Sequence, residues 1–271
     1  MVKFEYKTFQ WEDQLTHEQK EYFRKYGVIQ FKNFINADTI KTFIDELGKI
    51  EKKWLDEGTE KINGIPLKFG KDPKGNKMIQ RMCFTNKYSP VLAEFLKDPR
   101  LQVLTELLAP YDGRIGDEEK DGLVFNHYVN APNSKFTQMG WHTDSPRDLF
   151  LGQKILPMLN VGVHLDTCPS SNGGLRVLPG TQNQNMLRLL FGKKYFIDHT
   201  PDAREVGFEI EAGDLTVHDG RLWHRVEVSP NMGEKSRRRV MYVPIITGKY
   251  MPKSANSKTP FYHRFAKVVQ K

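Results

Sequence analysis

Cysteine is nearly absent: Cys83 and Cys168 are the only two thiols in 271 residues. That excludes a disulfide framework and points to a reducing compartment, so the chain is expected in the cytoplasm. Long apolar runs are missing as well. No stretch approaches the ~20 uninterrupted apolar residues of a membrane helix, and the opening Met-Val-Lys-Phe-Glu-Tyr-Lys carries charge where a signal peptide has its apolar core. The expectation is a soluble protein with no membrane partner. Repeats, low-complexity tracts and linker-like segments are also lacking, which favours one domain over residues 1–271. Dense positive clusters are rare. The net charge is +8, yet Lys and Arg are scattered beside Glu and Asp, with Arg237-Arg238-Arg239 the one compact run. Scattered charge is a solvated surface. It speaks against nucleic acid, whose phosphates need clustered cations, and it allows an anionic small-molecule substrate.

What is present excludes disorder: seventeen phenylalanines and 38% hydrophobic residues suffice for a sizeable core. Thr16 followed by Gln19 is a capping-box start for a helix that Gly27 ends. Val28 to Phe34 reads as a short strand. Asn36 then caps a second helix whose Ile40, Phe43, Leu47, Ile50 and Trp54 form a core-facing stripe. Gly64 to Lys77, rich in Gly, Pro, Lys and Asp, is a surface hairpin or loop bordering a candidate site mouth. Pro90 opens a further helix, and Pro99 restarts one running to Leu108.

Beyond Pro110 the texture changes. Leu123–Val129, Met158–Leu165, Leu175–Leu178, Leu215–His218, Arg221–Val228 and Arg239–Ile246 are short, Val- and aromatic-rich segments between Gly, Pro, Asn and Asp clusters. Helices first and evenly spaced strands afterwards predict an α+β fold. Its core is a jelly roll (a cupin-like, double-stranded β-helix) over about residues 111–250, flanked by a helical N-terminal part of about residues 1–110.

The chemistry-bearing stretch is Gly140-Trp-His-Thr-Asp144. In an extended strand, side chains at i and i+2 share a face, so His142 and Asp144 project together. One further imidazole would complete the 2-His-1-carboxylate set that binds ferrous iron and leaves positions open. It has to come from far along the chain. His218 and His224, on either side of Asp219-Gly220, are the candidates, and strand parity does not choose between them. His127, His164 and His199 are read as hydrogen-bonded core or rim residues, and the two cysteines as buried thiols.

Four motifs, in this order and spacing, resemble the phytanoyl-CoA hydroxylase (phytanoyl-CoA dioxygenase) family of Fe(II)/2-oxoglutarate oxygenases. They are Gly140-Trp-His-Thr-Asp144, Asn172-Gly-Gly-Leu-Arg-Val-Leu-Pro-Gly-Thr181, Gly213-Asp214, and Leu222-Trp-His-Arg-Val-Glu-Val-Ser-Pro-Asn231 followed by Arg238. The opening Tyr26-Gly-Val-Ile-Gln-Phe-Lys-Asn-Phe34 is similar to the same family, so the resemblance covers most of the chain. It implies iron held by His142, Asp144 and His224, with O2 and 2-oxoglutarate as co-substrates. It implies Arg238 as the anchor of the distal 2-oxoglutarate carboxylate, with Arg239 as the alternative register, and Asn126 as a residue touching the co-substrate. A guanidinium suits that task because it offers a rigid two-donor fork.

Two departures stand out. Gln182 replaces a histidine that relatives carry after Pro-Gly-Ser/Thr, and Arg225-Val226 replaces a Gly-Ser pair, which removes a hydroxyl from the co-substrate end. The implied reaction is hydroxylation of an unactivated C–H in a small molecule such as an acyl-CoA, an amino acid or a natural product, with succinate and CO2 released. Asp144 argues against chlorination, because related halogenases lack that carboxylate. Pocket residues are expected in the loops Gly64 to Lys77 and Ser145 to Leu156. The alternatives are a cupin-like Zn, Mn or Ni enzyme indifferent to Arg238, and an oxygenase directed at nucleic acid. A binding protein that has lost catalysis would need a broken triad.

Overall fold

The computed structural model describes residues 3–132, 134, 136–144 and 154–260. Its first helix, α1 (His17–Tyr26), begins at the expected capping box: Thr16 Oγ1 accepts from Gln19 N at 3.2 Å and Gln19 Oε1 accepts from Thr16 N at 2.9 Å. It ends at Gly27, whose φ of 74° is left-handed and whose Cα faces the Gln182 amide so closely that a Cβ would lie 2.4 Å from Oε1. Helix α2 (Ala37–Asp56) is capped by Asn36 and buries Phe43, Leu47, Ile50 and Trp54. Each of these large side chains contributes roughly 2 kcal/mol of apolar burial. Two short helices follow, α3 (Pro90–Phe95) and α4 (Pro99–Val103). The second tightens into a 3-10 turn over Leu104–Leu108 instead of staying α-helical.

The strands are, in order, β1 (Thr8–Gln10), β2 (Val28–Lys32), β3 (Lys61–Ile62), β4 (Ile65–Pro66), β5 (Lys68–Lys71), β6 (Lys77–Met82) and β7 (Arg114–Ile115). There follow β8 (Val124–Tyr128), β9 (Met139–His142), β10 (Met158–His164), β11 (Gly174–Val177), β12 (Val206–Gly207), β13 (Leu215–Asp219), β14 (His224–Glu227) and β15 (Arg238–Ile246). The larger sheet runs β1-β2-β13-β10-β15-β8-β6-β5, with β7 on β15, and the smaller runs β12-β11-β14-β9. Together they form a jelly-roll core. Gly64 to Lys77 takes the hairpin form: β5 and β6 pair at the far edge of the larger sheet around a turn in which Asp72 accepts from Lys74 N and Asn76 N. The strand expected from Arg221 starts only at His224. Asp219 accepts from Arg221 N and from its guanidinium, closing a turn there.

Alternation along the central strands divides the larger sheet into two faces. Leu159, Val161, Val163, Leu215, Val217, Met241, Val243 and Ile245 join one core with the α2 stripe. The intervening residues, among them Asn160, Gly162, His164, Thr216, His218, Arg238 and Tyr242, point the other way, toward the smaller sheet. That inward face is polar. The space between the sheets, the chamber, is the candidate binding face, because polar side chains buried for packing alone would be a net cost.

Candidate metal centre

His142 and His224 are direct partners in the β9–β14 pair. Their ring centroids lie 4.1 Å apart. Asp144 follows β9 in a bend, and its backbone N–H donates to Gly220 O at 2.8 Å, which ties it to the turn between β13 and β14. One ligand atom from each of His142, Asp144 and His224 lies within 4.8 Å of the others, the only such group of three or more among the described residues. This is the metal-binding triad that the family resemblance implied, with His224 and not His218 as its third member.

Each imidazole is aimed by the chain around it. His142 Nδ1 lies 2.8 Å from Gly140 O and His224 Nδ1 lies 2.9 Å from Leu222 O, which protonates Nδ1 and leaves Nε2 free on both rings. The same arrangement recurs two residues before each histidine. Phe196 stacks on His142 at 4.8 Å, held by its N–H to Trp141 O at 2.9 Å. Asn160 Nδ2, from the opposite sheet, donates to Asp144 Oδ2 at 3.1 Å. Burial pushes the pKa values of His142 and His224 down, so both are neutral ligands at pH 7. Burial acts to raise the Asp144 carboxyl and positive charge on the neighbouring imidazoles, His224 first, acts to lower it; the net direction is downward, so the carboxyl loses its proton before they do. Neutral imidazoles with an ionised carboxylate are a nitrogen and oxygen donor set suited to ferrous iron. Solvent reaches the site at Asp144, whose side chain stays 23% exposed against 5% for His224.

Arg238 projects between the sheets. Its Nη1 donates to Glu227 O at 2.7 Å and its Nη2 to Thr137 O at 3.1 Å, while the guanidinium lies 5.4 Å from the Tyr128 ring centroid. Nε has no partner, and no carboxylate pairs with Arg238 among the described residues. Burial lowers its pKa. Arg239 points to the other face, where Asp166 accepts from it through both oxygens at 2.6 and 2.9 Å. Asn126 faces inward opposite Val240; its Nδ2 lies 3.4 Å from Tyr128 Oη and its Oδ1 is unpartnered.

The departures from the family pattern are absorbed locally. Gln182 donates to Arg24 O at 3.1 Å, Arg225 pairs with Glu205 and Glu227, and Val226 packs with Tyr128, Phe136 and Val240. His164 lies 2.9 Å from Thr216 Oγ1 inside the chamber. Both cysteines are buried. Of the loop Ser145 to Leu156, residues 145–153 lie outside the described residues. Sequence reasoning missed Asn160, Gly162, Phe196 and Tyr242. The period-two alternation of β10 and β15 was the available signal for three of them, whereas Phe196 comes close only through tertiary pairing.

The family model described as Phytanoyl-CoA dioxygenase (PhyH) matches residues 23–239. No curated protein matches the sequence. Among solved structures the chain is similar to AviO1 from Streptomyces viridochromogenes Tue57, at 17% identity and a TM-score of 0.60 over 86% of this chain and 96% of that one. It is similar to HygX from Streptomyces hygroscopicus, solved with nickel and 2-oxoglutarate bound, at 15% identity and 0.61 over 88% and 89%. It is also similar to the non-heme alpha ketoglutarate dependent epimerase SnoN from nogalamycin biosynthesis, at 14% and 0.62 over 89% and 91%. No described helix is long and apolar enough to cross a membrane. With most of its length matched and a His-Asp-His triad inside a jelly roll, the chain belongs to the phytanoyl-CoA dioxygenase (PhyH) family of iron- and 2-oxoglutarate-dependent oxygenases.

Proposed function

We propose that this protein hydroxylates an unactivated C–H of a small molecule, consuming 2-oxoglutarate and O2 and releasing succinate and CO2. The observation that carries the reading is Arg238, a buried guanidinium with no acid partner among the described residues, on the inward face of the larger sheet. A buried cation is costly unless something negative meets it. A dicarboxylate held at one end by the metal and at the other by the guanidinium fork supplies that charge. Asn126 is the proposed neighbour of the same co-substrate, since its long 3.4 Å contact to Tyr128 is readily exchanged for a carboxylate.

Bound ferrous iron supplies the activation of O2; the chain supplies position and exclusion of water. His142 and His224, paired on β9 and β14, and Asp144 in the bend after β9 would hold the metal. Phe196 stacks on His142 and is itself half-exposed, and this apolar surface supports a substrate with an apolar part. Asp144 favours hydroxylation over chlorination, because a carboxylate occupies the place a halide would need. HygX, solved with 2-oxoglutarate bound, and SnoN and the carbocyclase SnoK, named as alpha ketoglutarate dependent, support the co-substrate; the latter two also make epimerisation or ring closure the second reading. The same reading takes residues 1–271 as one domain, supported by a core cluster running from Phe9 to Ile245, and a cytoplasmic location, supported by two free buried thiols.

The test is anaerobic titration of metal-free protein with Fe(II) and 2-oxoglutarate, watching for the weak visible charge-transfer band, followed by succinate release on admitting O2. The band and succinate are expected with wild type and absent with His224→Ala. Metal binding without the band would turn the reading toward a cupin-like enzyme that does not use 2-oxoglutarate.

A further inference from the structure

His218 stands beside the triad without belonging to it. It is 1% exposed, and neither ring nitrogen has a hydrogen-bond partner among the described residues. An unsatisfied buried imidazole is costly and calls for a reason. Its Nε2 lies 3.8 Å from Asp144 Oδ2, just beyond hydrogen-bond reach, and its ring centroid lies 4.5 Å from that of His224. The oxygen it approaches is the one that already accepts from Asn160 Nδ2 at 3.1 Å. Asn160 and His218 are register partners on neighbouring strands β10 and β13, so their side chains leave the larger sheet side by side on its inward face. Two adjacent side chains from one sheet thus face a single oxygen of Asp144: Asn160 donates to it, and His218 stands 3.8 Å away.

We propose that His218 is a positioning residue of the metal centre. With Asn160 it fixes the orientation of the Asp144 carboxylate, whose Oδ2 lies 3.8 Å from Nε2 of both His218 and the ligand His224. A carboxylate free to rotate would leave the orientation that brings it within range of the two ligand imidazoles. Neighbours from the opposite sheet restrain that rotation, and partners of this kind govern metal affinity. The inference rests on reading the site as a metal centre. Its own content is that an imidazole outside the ligand set controls how Asp144 binds.

Cobalt(II) affinity, followed by titration and by the visible ligand-field spectrum, tests this without turnover. Wild type, His218→Ala, His218→Gln, Asn160→Ala and the double variant His218→Ala/Asn160→Ala are compared, with His142→Ala as the site control and thermal midpoints of the metal-free proteins as the folding control. His218→Ala is expected to weaken cobalt binding about tenfold or more and to change the spectrum, while His218→Gln, which keeps a donor, stays within about threefold of wild type. The double variant is expected to lose less than the product of the two single losses, because both side chains act on one carboxylate. Affinity for cobalt unchanged by His218→Ala, or His218→Gln as weak as His218→Ala, would overturn the proposal while leaving the metal centre intact. Equal cobalt binding by wild type and His142→Ala would instead remove the metal-centre reading itself.

Discussion

Arg238 and Arg239 are adjacent in sequence and opposite in fate: among the described residues one guanidinium, on the inward face, has backbone carbonyls as its hydrogen-bond partners, and the other closes a two-oxygen ion pair with Asp166 on the outer side. Strand β15 carries both, and the period of two along a strand sends them to different faces.

Their variants should therefore separate. Arg238→Ala is expected to raise the KM for 2-oxoglutarate on the order of 100-fold, the scale for removing one partner of a buried charge-assisted pair. Arg238→Lys should recover little, because an ammonium lacks the fork. Arg239→Ala is expected to leave that KM alone and to cost about 1 kcal/mol of stability through Asp166. Steady-state kinetics with denaturant unfolding of each variant checks both halves. A KM effect at Arg239 with none at Arg238 would reverse the assignment.

Gly162 lies on the inward face of β10, opposite Thr216 and Tyr242. A Cβ there would lie 2.9 Å from Thr216 Oγ1 and 3.0 Å from Tyr242 Cε1. Gly162→Val should lose roughly 1–3 kcal/mol to overpacking and should displace those two side chains. Weakened 2-oxoglutarate binding at retained cobalt affinity is the expected result, read from parallel titrations. Unchanged co-substrate binding would mean that the dicarboxylate does not reach this part of the inward face.

His164 gives the fold a pH dependence of known sign. Burial pushes its pKa from the ordinary 6.5 to about 4, against a smaller opposing pull from Asp214. Its depressed folded value means that the unfolded chain takes up a proton between about pH 6.5 and about pH 4 while the native protein does not. Stability contributed by the neutral form is thus complete above that window and falls by roughly 1.4 kcal/mol per pH unit inside it. Urea midpoints of metal-free protein at several pH values should fall across the window, and less steeply in His164→Gln. Equal slopes for the two proteins would contradict the shift.

Much of the local structure was legible because it rests on short-range chemistry. The Thr16–Gln19 capping box, the Asn36 cap, the α2 stripe and the Pro90 helix start each need only a few neighbouring residues. The errors fell where a side chain competed with the expected pattern: Asp219 captured the Arg221 backbone and delayed β14, and the helix from Pro99 finished as a tighter turn. For the metal site, sequence spacing supplied His142 and Asp144 as a pair, and the family motif supplied His224.

By itself, then, the sequence determined the donor set, the jelly-roll class and the family. Those follow from residue type, period and motif order, which are properties of the chain before it folds. Tertiary structure decided what stands around the donors. Strand register made His142 and His224 direct partners, the turn at Gly220 pulled Asp144 into range, and pairing of β10 with β13 brought Asn160 into a hydrogen bond with Asp144 Oδ2 and His218 to 3.8 Å from the same oxygen. His218 illustrates the division. Its position beside His224 in sequence made it a rival ligand, and only the facing of two sheets turned it into a neighbour of the aspartate, because proximity across a sandwich is set by registers no local pattern encodes.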